Sequence, residues 1–396
     1  MLRIEEVTTL DAFAELGRWW NDALAGSALP SLYLTHEWLS AWLHAHKGGN
    51  AALRVLVARD ESGIAGVAPL VRMTRRYIGV PMRMIEFISM ARYADHPAAV
   101  TGELDWIICR NERAVLGCFI EHLLRDRSSW DALRLHPIPI RSPLLEPLRE
   151  EAITRECDVY VTSASGDAVI TLPGQWETYV RSLTPKFRKT LRSGAHSLQA
   201  LGTLKFERLS PASEPGFFER LLDVERRSWK WTKGVSVNSA AYGSFYRDLA
   251  VLVDQRGWLR LWMLSLAGKD IAFDLSVRFA HGLHCLKVGY DQTYWKSFPG
   301  GLLKERLLKE SFDEGIREVH MLWGEMGYKQ RWGAVLEPQA EVLAFHRGAN
   351  SRIARNLLLH GHIAGVHRRA SDYAKRIMRK VGLRPAYSEL TRADQI

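Results

Sequence analysis

Apolar residues dominate the runs 258–266 (WLRLWMLSL), 271–279 (IAFDLSVRF) and 283–290 (LHCLKVGY), with the turn-forming breaks AGKD and AHG between them. Short apolar runs joined by such turns predict three antiparallel strands. The pattern then changes: Leu302, Leu303, Leu307, Leu308 and Phe312 share one helical face behind Pro299, Gly300 and Gly301. This predicts an amphipathic helix that starts at a proline–glycine corner, where backbone can be approached closely and free N–H groups attract anions such as phosphate. A further strand is expected over residues 319–323 (VHMLW), and a polar, glycine-punctuated loop over residues 324–333 (GEMGYKQRWG). Upstream, Thr184 as N-cap, Pro185 at the first helical position and Gly202 past the end frame a helix whose apolar side is Phe187, Leu191, Leu198 and Leu201. A strand over residues 204–209 and helices over 217–231 and 242–257 follow, giving the order β-α-α-β-β-β-α-β.

The first half has a similar grammar. A helix is expected over residues 11–25, a hairpin from strands 53–59 and 64–73 across DESG, a helix over 113–125 and a strand over 130–138. The small, polar run TSASGD (residues 162–167) reads as a turn between two units. The expected division is therefore residues 1–165, residues 166–346 and a tail of residues 347–396.

Composition narrows the function classes. With 396 residues, 47% hydrophobic and 25% charged, the chain has the make-up of a globular protein of two domains. No stretch of eighteen uninterrupted apolar residues is present, and the opening MLRIEEVTTL lacks a signal-peptide core, so a cytoplasmic location is expected. Cys109, Cys118, Cys157 and Cys285 lack metal-type spacing, and His281 and His284 fall on opposite faces of a strand, so no metal is expected and Cys285 reads as strand packing.

The net charge of +10 points to an anionic partner. Its basic residues gather at residues 186–196 and in the tail, where Ile353, Leu357, Ile363, Val366, Tyr373, Ile377 and Val381 interrupt the cations. That pattern fits either a solvated helix packed on its own domain or peripheral contact with an anionic membrane, on the inner face of the cell membrane. Zinc-finger, basic-zipper and RNA-recognition patterns are missing, so nucleic acid is not an expected partner.

At PKFRKTLRSGAHSLQALGTLKF, FYRDLA, IAFDLSVRF, VGYDQTYWKSFPGGLL and GYKQRWG, in that order, and at YLTHEWLSAWLHAH and LRVLVARDESGIAGVAPLVRM before them, the chain resembles the GNAT superfamily of N-acetyltransferases. Within it, the likeness is to CelD-like cellulose-biosynthesis acetyltransferases, relatives of the Fem-type peptidyl transferases. The resemblance implies an α/β (α+β) fold of two tandem GNAT-like domains. Each would be a mixed, mainly antiparallel sheet flanked by helices, with a basic helical tail after the second and the first shaping the acceptor cleft. It departs from the usual phosphate loop, offering Ser297-Phe298-Pro299-Gly300-Gly301 in its place.

The resemblance also implies a donor, acetyl-CoA or a longer acyl-CoA, and direct attack of an amine on its thioester. Val288, Gly289 and Tyr290 would run along the acyl arm, with Phe298, Pro299, Gly300, Gly301 and Leu302 at the pyrophosphate. Arg188, which shares a face with Arg192, is a candidate phosphate or substrate contact, and Trp323 and Trp332 are candidates to line the substrate pocket. The reaction needs a base, an oxyanion donor and an acid. Asp291 or Glu325 is the expected base, Tyr328 the proton donor to the thiolate, and Lys329 a positive charge near the oxyanion. Asp274, out of step with Phe273 and Leu275, is expected to face the cleft. Three roles remain open: an N-acyltransferase acting on an amino group of a cell-envelope polysaccharide or amino-sugar precursor, a long-chain acyltransferase acting on an amino-lipid such as a sphingoid base, and a non-catalytic part of a polysaccharide machine.

Overall fold

Main-chain hydrogen bonds join both halves of the chain into one sheet. The computed structural model describes residues 2–47, 51–77, 79–90, 101–232, 236–237, 242–323 and 327–359. The first half supplies β1 (Arg3–Val7), β2 (Ala51–Asp60), β3 (Gly63–Tyr77), β4 (Val80–Phe87), β5 (Ile107–Ile108), β6 (Ala132–Pro139) and β7 (Asp158–Thr171). The second supplies β8 (Leu204–Leu209), β9 (Leu259–Leu266), β10 (Lys269–Phe279), β11 (Gly282–Tyr290), β12 (Glu318–His320) and β13 (Val335–Phe345). Their spatial order is β1-β2-β3-β4-β6-β13-β7-β12-β11-β10-β9-β8, with β5 on β3.

Each half repeats one scheme. An antiparallel meander, β2-β3-β4 or β9-β10-β11, is followed by a helix and then by a strand parallel to the meander's last member, β6 beside β4 and β12 beside β11. The sheet is thus mixed and mainly antiparallel, flanked by helices, as expected. The central strands cross over: β13, from the end of the described chain, lies between β6 and β7, while β7 pairs with β12 of the second half.

Alternation sorts side chains to the two faces of the second half. Ala272, Leu283, Leu303 and Leu307 join a core under helices Trp176–Ser182, Pro185–Gln199 and Pro299–Asp313. Phe273, Leu275 and Leu286 face a larger core shared with helices Phe217–Arg226, Gly243–Gln255 and His36–Ala45. Helix Pro185–Gln199 is capped as its sequence dictates, Thr184 accepting from the Phe187 N–H at 3.2 Å.

Three local expectations are corrected. TSASGD is no turn: residues 162–167 continue β7, because β13 pairs along them and supplies the hydrogen bonds that override their turn propensity. The strand expected at residues 319–323 stops at His320, where its pairing with β11 ends. The loop expected at residues 324–333 contains a short helix, Gly327–Arg331. Of the tail, residues 349–359 are helical and pack on the larger core through the buried Ala354, and Ser351 donates to the Asp131 carbonyl at 2.6 Å. The rest of the tail lies outside the described residues.

Gly166 is required where β13 bulges between Glu337 and Gln339, since a Cβ there would stand 1.7 Å from the Glu337 carbonyl oxygen. Gly166→Ala should therefore cost about 1–3 kcal/mol of stability, read as a lowered urea midpoint.

Candidate active site where two strands part

β11 and β12 pair over three positions only, Gly282 with Glu318, Leu283 with Val319 and His284 with His320. β11 then continues to Tyr290 while β12 ends, so its inner edge runs free beside a gap. Cys285, Lys287, Val288 and Tyr290 are half-buried along that edge.

Lysines satisfy carbonyls on both lips. Lys230 donates to the Val288 carbonyl on β11. Lys329 donates to the Leu322 and Trp323 carbonyls at 2.5 and 3.1 Å, holding the chain after β12 in a turn where Leu322 has φ +58°. Burial lowers the affinity of both ammonium groups for their protons.

The helix after β11 closes the open end of the gap. Its start is turned by Phe298 at φ +52°, and Gly301 is obligatory because a Cβ would fall 1.9 Å from the Phe298 ring. Phe298's carbonyl accepts from the Gly301 and Leu302 N–H groups. Pro299 has no N–H, so Gly300 offers the outward donor at this corner, beside Val288 and Tyr290. Helix Pro185–Gln199 packs against the same turn, so closely that a Cβ on Gly194 would lie 2.4 Å from the Ser297 carbonyl oxygen. On that helix Arg188 is half-buried and Arg192 exposed, and neither has an ion-pair partner among the described residues.

Beneath the gap lies a charge cluster that the sequence reading missed in part. Asp274 is fully buried, as is Lys304 on the second turn of the helix, and their Oδ2 and Nζ atoms are 2.6 Å apart. Lys304 also donates to Cys285 Sγ at 3.0 Å, and Ser276 Oγ to Asp274 Oδ1 at 2.6 Å. Burial alone would lower the pKa of Lys304, but Asp274 and Cys285 outweigh it and hold the amine charged. Tyr328, 42% exposed, has its phenol pushed up to about 12 by desolvation, with Lys304, Cys285 and Asp274 close enough to act on it. It remains a proton donor at neutral pH. Asp274, expected to face the cleft, is instead wholly buried in its pair with Lys304, while Tyr328 and Lys329 both lie within electrostatic reach of Cys285 at the gap.

Asp291 and Trp332 do not join them. Asp291 caps the turn Gln292–Ser297 through the Thr293 N–H and pairs with Arg227 at 2.8 Å and Lys269 at 3.0 Å, so its carboxylate is committed to anchoring rather than free as a base. Trp332 is core, 4.8 Å from the Phe187 ring, because its neighbours form a helix rather than the expected loop. Trp323 is 43% exposed on the second lip. Glu325 lies outside the described residues.

At the point of parting, His284 and His320 stack at 4.5 Å. Burial would lower the pKa of His320, but the carboxylates of Asp167, 3.5 Å from its Nδ1, and Glu318, 3.6 Å from its Nε2, prevail and lift it to about 10, whereas burial and the neighbouring His320 charge hold His284 neutral. Among the described residues, no group of three or more His, Cys, Asp or Glu side chains is arranged to hold a metal ion.

Residues 185–330 match a family described as an acetyltransferase (GNAT) domain, so this segment carries an acyltransferase domain, for which an acyl-CoA is the general donor. No curated protein matches the chain. Among solved structures the chain is similar to FemX, at 7% identity over 86% of this chain and 96% of that one, with a TM-score of 0.59. It is also similar to the C-terminal domain of a candidate lysylphosphatidylglycerol synthetase from Agrobacterium fabrum, at 13% identity over 88% and 96% and a TM-score of 0.52. A conserved protein of unknown function from Bacteroides thetaiotaomicron aligns at 11% identity over 87% and 100%, with a TM-score of 0.54. At these identities the likeness is one of fold.

Two outcomes follow from the cluster. Lys304→Met strands a buried carboxylate and should cost about 3–5 kcal/mol in urea unfolding, whereas Lys304→Met combined with Asp274→Leu should cost less than the single change. A raised folded-state pKa at His320 contributes stability that is present below its ordinary value of 6.5 and lost as pH rises through about 10. Wild-type stability should fall over that window, and His320→Gln should flatten the profile in melts recorded from pH 6 to 10.

Proposed function

We propose that the protein is an acyl-CoA-dependent N-acyltransferase in which an acceptor amine attacks the donor thioester directly. The observation that carries this reading is the parting of β11 from β12 beyond His284 and His320, with the Gly300 corner at its open end. The acyl arm would lie along Val288, Gly289 and Tyr290, hydrogen-bonding to backbone that no strand covers. The pyrophosphate would meet the Gly300 N–H and Arg188 and Arg192, which have no ion-pair partner among the described residues. The acyl carbonyl would then sit near Cys285, over the fixed charge of Lys304, and Tyr328 would protonate the departing thiolate and take up in turn the proton that the acylated amine loses.

The acceptor suggested by the CelD-like resemblance is an amino group of a cell-envelope polysaccharide or amino-sugar precursor, with acetyl as the acyl group. A second reading, a long-chain acyltransferase acting on an amino-lipid at a membrane surface, is favoured by one observation. The chain segments at the gap's open end carry exposed Trp231, Trp295 and Trp323, at 41%, 56% and 43%, beside Lys296 and Arg226. Aromatic rings among cations suit a lipid–water interface. Among the described residues no helix is long and apolar enough to cross a membrane.

Gly300 has ordinary backbone geometry, and a Cβ there meets only Tyr290 at 3.5 Å and Val288 at 3.7 Å, so Gly300→Asp should fold while repelling a pyrophosphate. Calorimetric titration with acetyl-CoA and with palmitoyl-CoA below its micelle-forming concentration should show binding that the variant abolishes. The preferred chain length separates the two acceptors, and no binding of either donor overturns the proposal.

A further inference from the structure

On the face of β11 opposite Lys304, four buried polar atoms from four elements have no hydrogen-bond partner: Tyr33 Oη, His284 Nδ1, Tyr246 Oη and Glu225 Oε1. Their residues are 1%, 6%, 0% and 0% exposed. A buried polar atom left without a partner is costly, and native proteins keep few of them. Four in one place call for something to fill them.

Tyr33 and His284 are in contact, and Tyr246 and Glu225 lie within electrostatic reach on the same side. The Tyr33 and His284 rings meet edge to face at 5.4 Å. Burial, helped by Tyr246 acting on Tyr33 and Glu225 on Tyr246, raises both phenols, so they stay protonated donors. Lys287 Nζ lies 5.2 Å from the Tyr246 ring, on the β11 edge that faces the gap. The other Glu225 oxygen is used, accepting from Ser236 Oγ at 2.6 Å and the Val237 N–H at 2.8 Å, which fixes the carboxylate with its free oxygen presented. Tyr33 comes from the first half, where Gly102 makes room for it: a Cβ there would lie 2.4 Å from the Tyr33 ring.

We infer that Tyr33, Tyr246, His284 and Glu225 form the acceptor chamber, and that it takes a vicinal amino alcohol, the free Glu225 oxygen receiving the ammonium and the phenols and imidazole the adjacent hydroxyls. This rests on the acyl-transfer reading for the identity of the second substrate, but the chamber is a binding site in its own right. The inventory fits that chemistry and no simpler amine: one anionic acceptor for a cation, and three neutral groups able to donate or accept for hydroxyls. Lys287, brought down to about 8 by burial and by nearby Lys230, gives up its charge more readily than an ordinary lysine. Amino sugars and long-chain amino diols share this vicinal pattern.

Calorimetry without any acyl donor tests the chamber apart from catalysis, using glucosamine, a short-chain sphinganine, and cyclohexylamine and hexylamine as their hydroxyl-free counterparts. One amino alcohol should bind more tightly than its counterpart; glucosamine marks a sugar acceptor and the sphinganine a lipid one. Tyr33→Phe and Tyr246→Phe should each reduce that preference by about tenfold, and Glu225→Gln should weaken both members of the pair by about tenfold. Because the Tyr33 hydroxyl has no protein partner, Tyr33→Phe should keep the wild-type melting temperature. Equal binding of amine and amino alcohol, an unchanged preference in both phenylalanine variants, or binding of neither overturns the chamber. Acyl-CoA binding measured in parallel separates the two ideas: amino alcohol binding without it leaves the chamber and removes the acyl-transfer reading, and the reverse does the opposite.

Discussion

Backbone hydrogen bonding sets the terms for this molecule. A strand that loses its partner inside a sheet leaves N–H and C=O groups that must be paired or remain wet. β12 is three residues long and β11 nine, so the mismatch is built into the sheet. The fold answers it with buried lysines, Lys230 on one lip and Lys329 on the other. Each ammonium gives up hydration to do so, which is tolerable because a lysine offers three donors to carbonyls that would otherwise go unmet. The gap is thus an open but supported feature, and the Gly300 corner lies at its mouth.

The Lys304–Asp274 pair is of another kind. It satisfies no backbone, and a buried ion pair is on average no more stabilising than apolar groups of the same volume. Its position gives it meaning. Ser276 and Asp274 fix the amine from below and Cys285 from the side, so a charge that cannot relax sits under the half-buried edge of β11. Such preorganised charge is suited to a developing oxyanion, because no reorganisation is needed when the charge appears.

Much of this was legible in the chain. The three strands, the helix behind Pro299 and the order of elements follow from period and punctuation, and Asp274 betrayed itself by polarity within an apolar strand. Lys304 carried an unread signal: it lies three and four residues before Leu307 and Leu308, a cation in an apolar helical stripe. TSASGD misled because propensity is local, whereas β13 comes from residues 335–345 to pair with it. Asp291 misled because a carboxylate at a strand end serves a cap as readily as a reaction, and only Arg227 and Lys269 reveal which. Tyr33 could not be found from pattern at all, since it meets His284 across 251 positions of sequence (284 − 33).

That separation bears on what the matched segment can do alone. Residues 185–330 contain the gap, the corner and the buried pair, yet they omit β7, the partner β12 needs on its other edge. They omit Tyr179, whose hydroxyl donates to the Trp332 carbonyl at 2.8 Å and so steadies the helix that carries Tyr328 and Lys329. Asp167, which keeps His320 charged at the point of parting, also lies outside them, on β7. The acyltransferase domain is therefore completed by chain that precedes it, and the first half reaches β11 through the contact of Tyr33 with His284 as well as through the sheet.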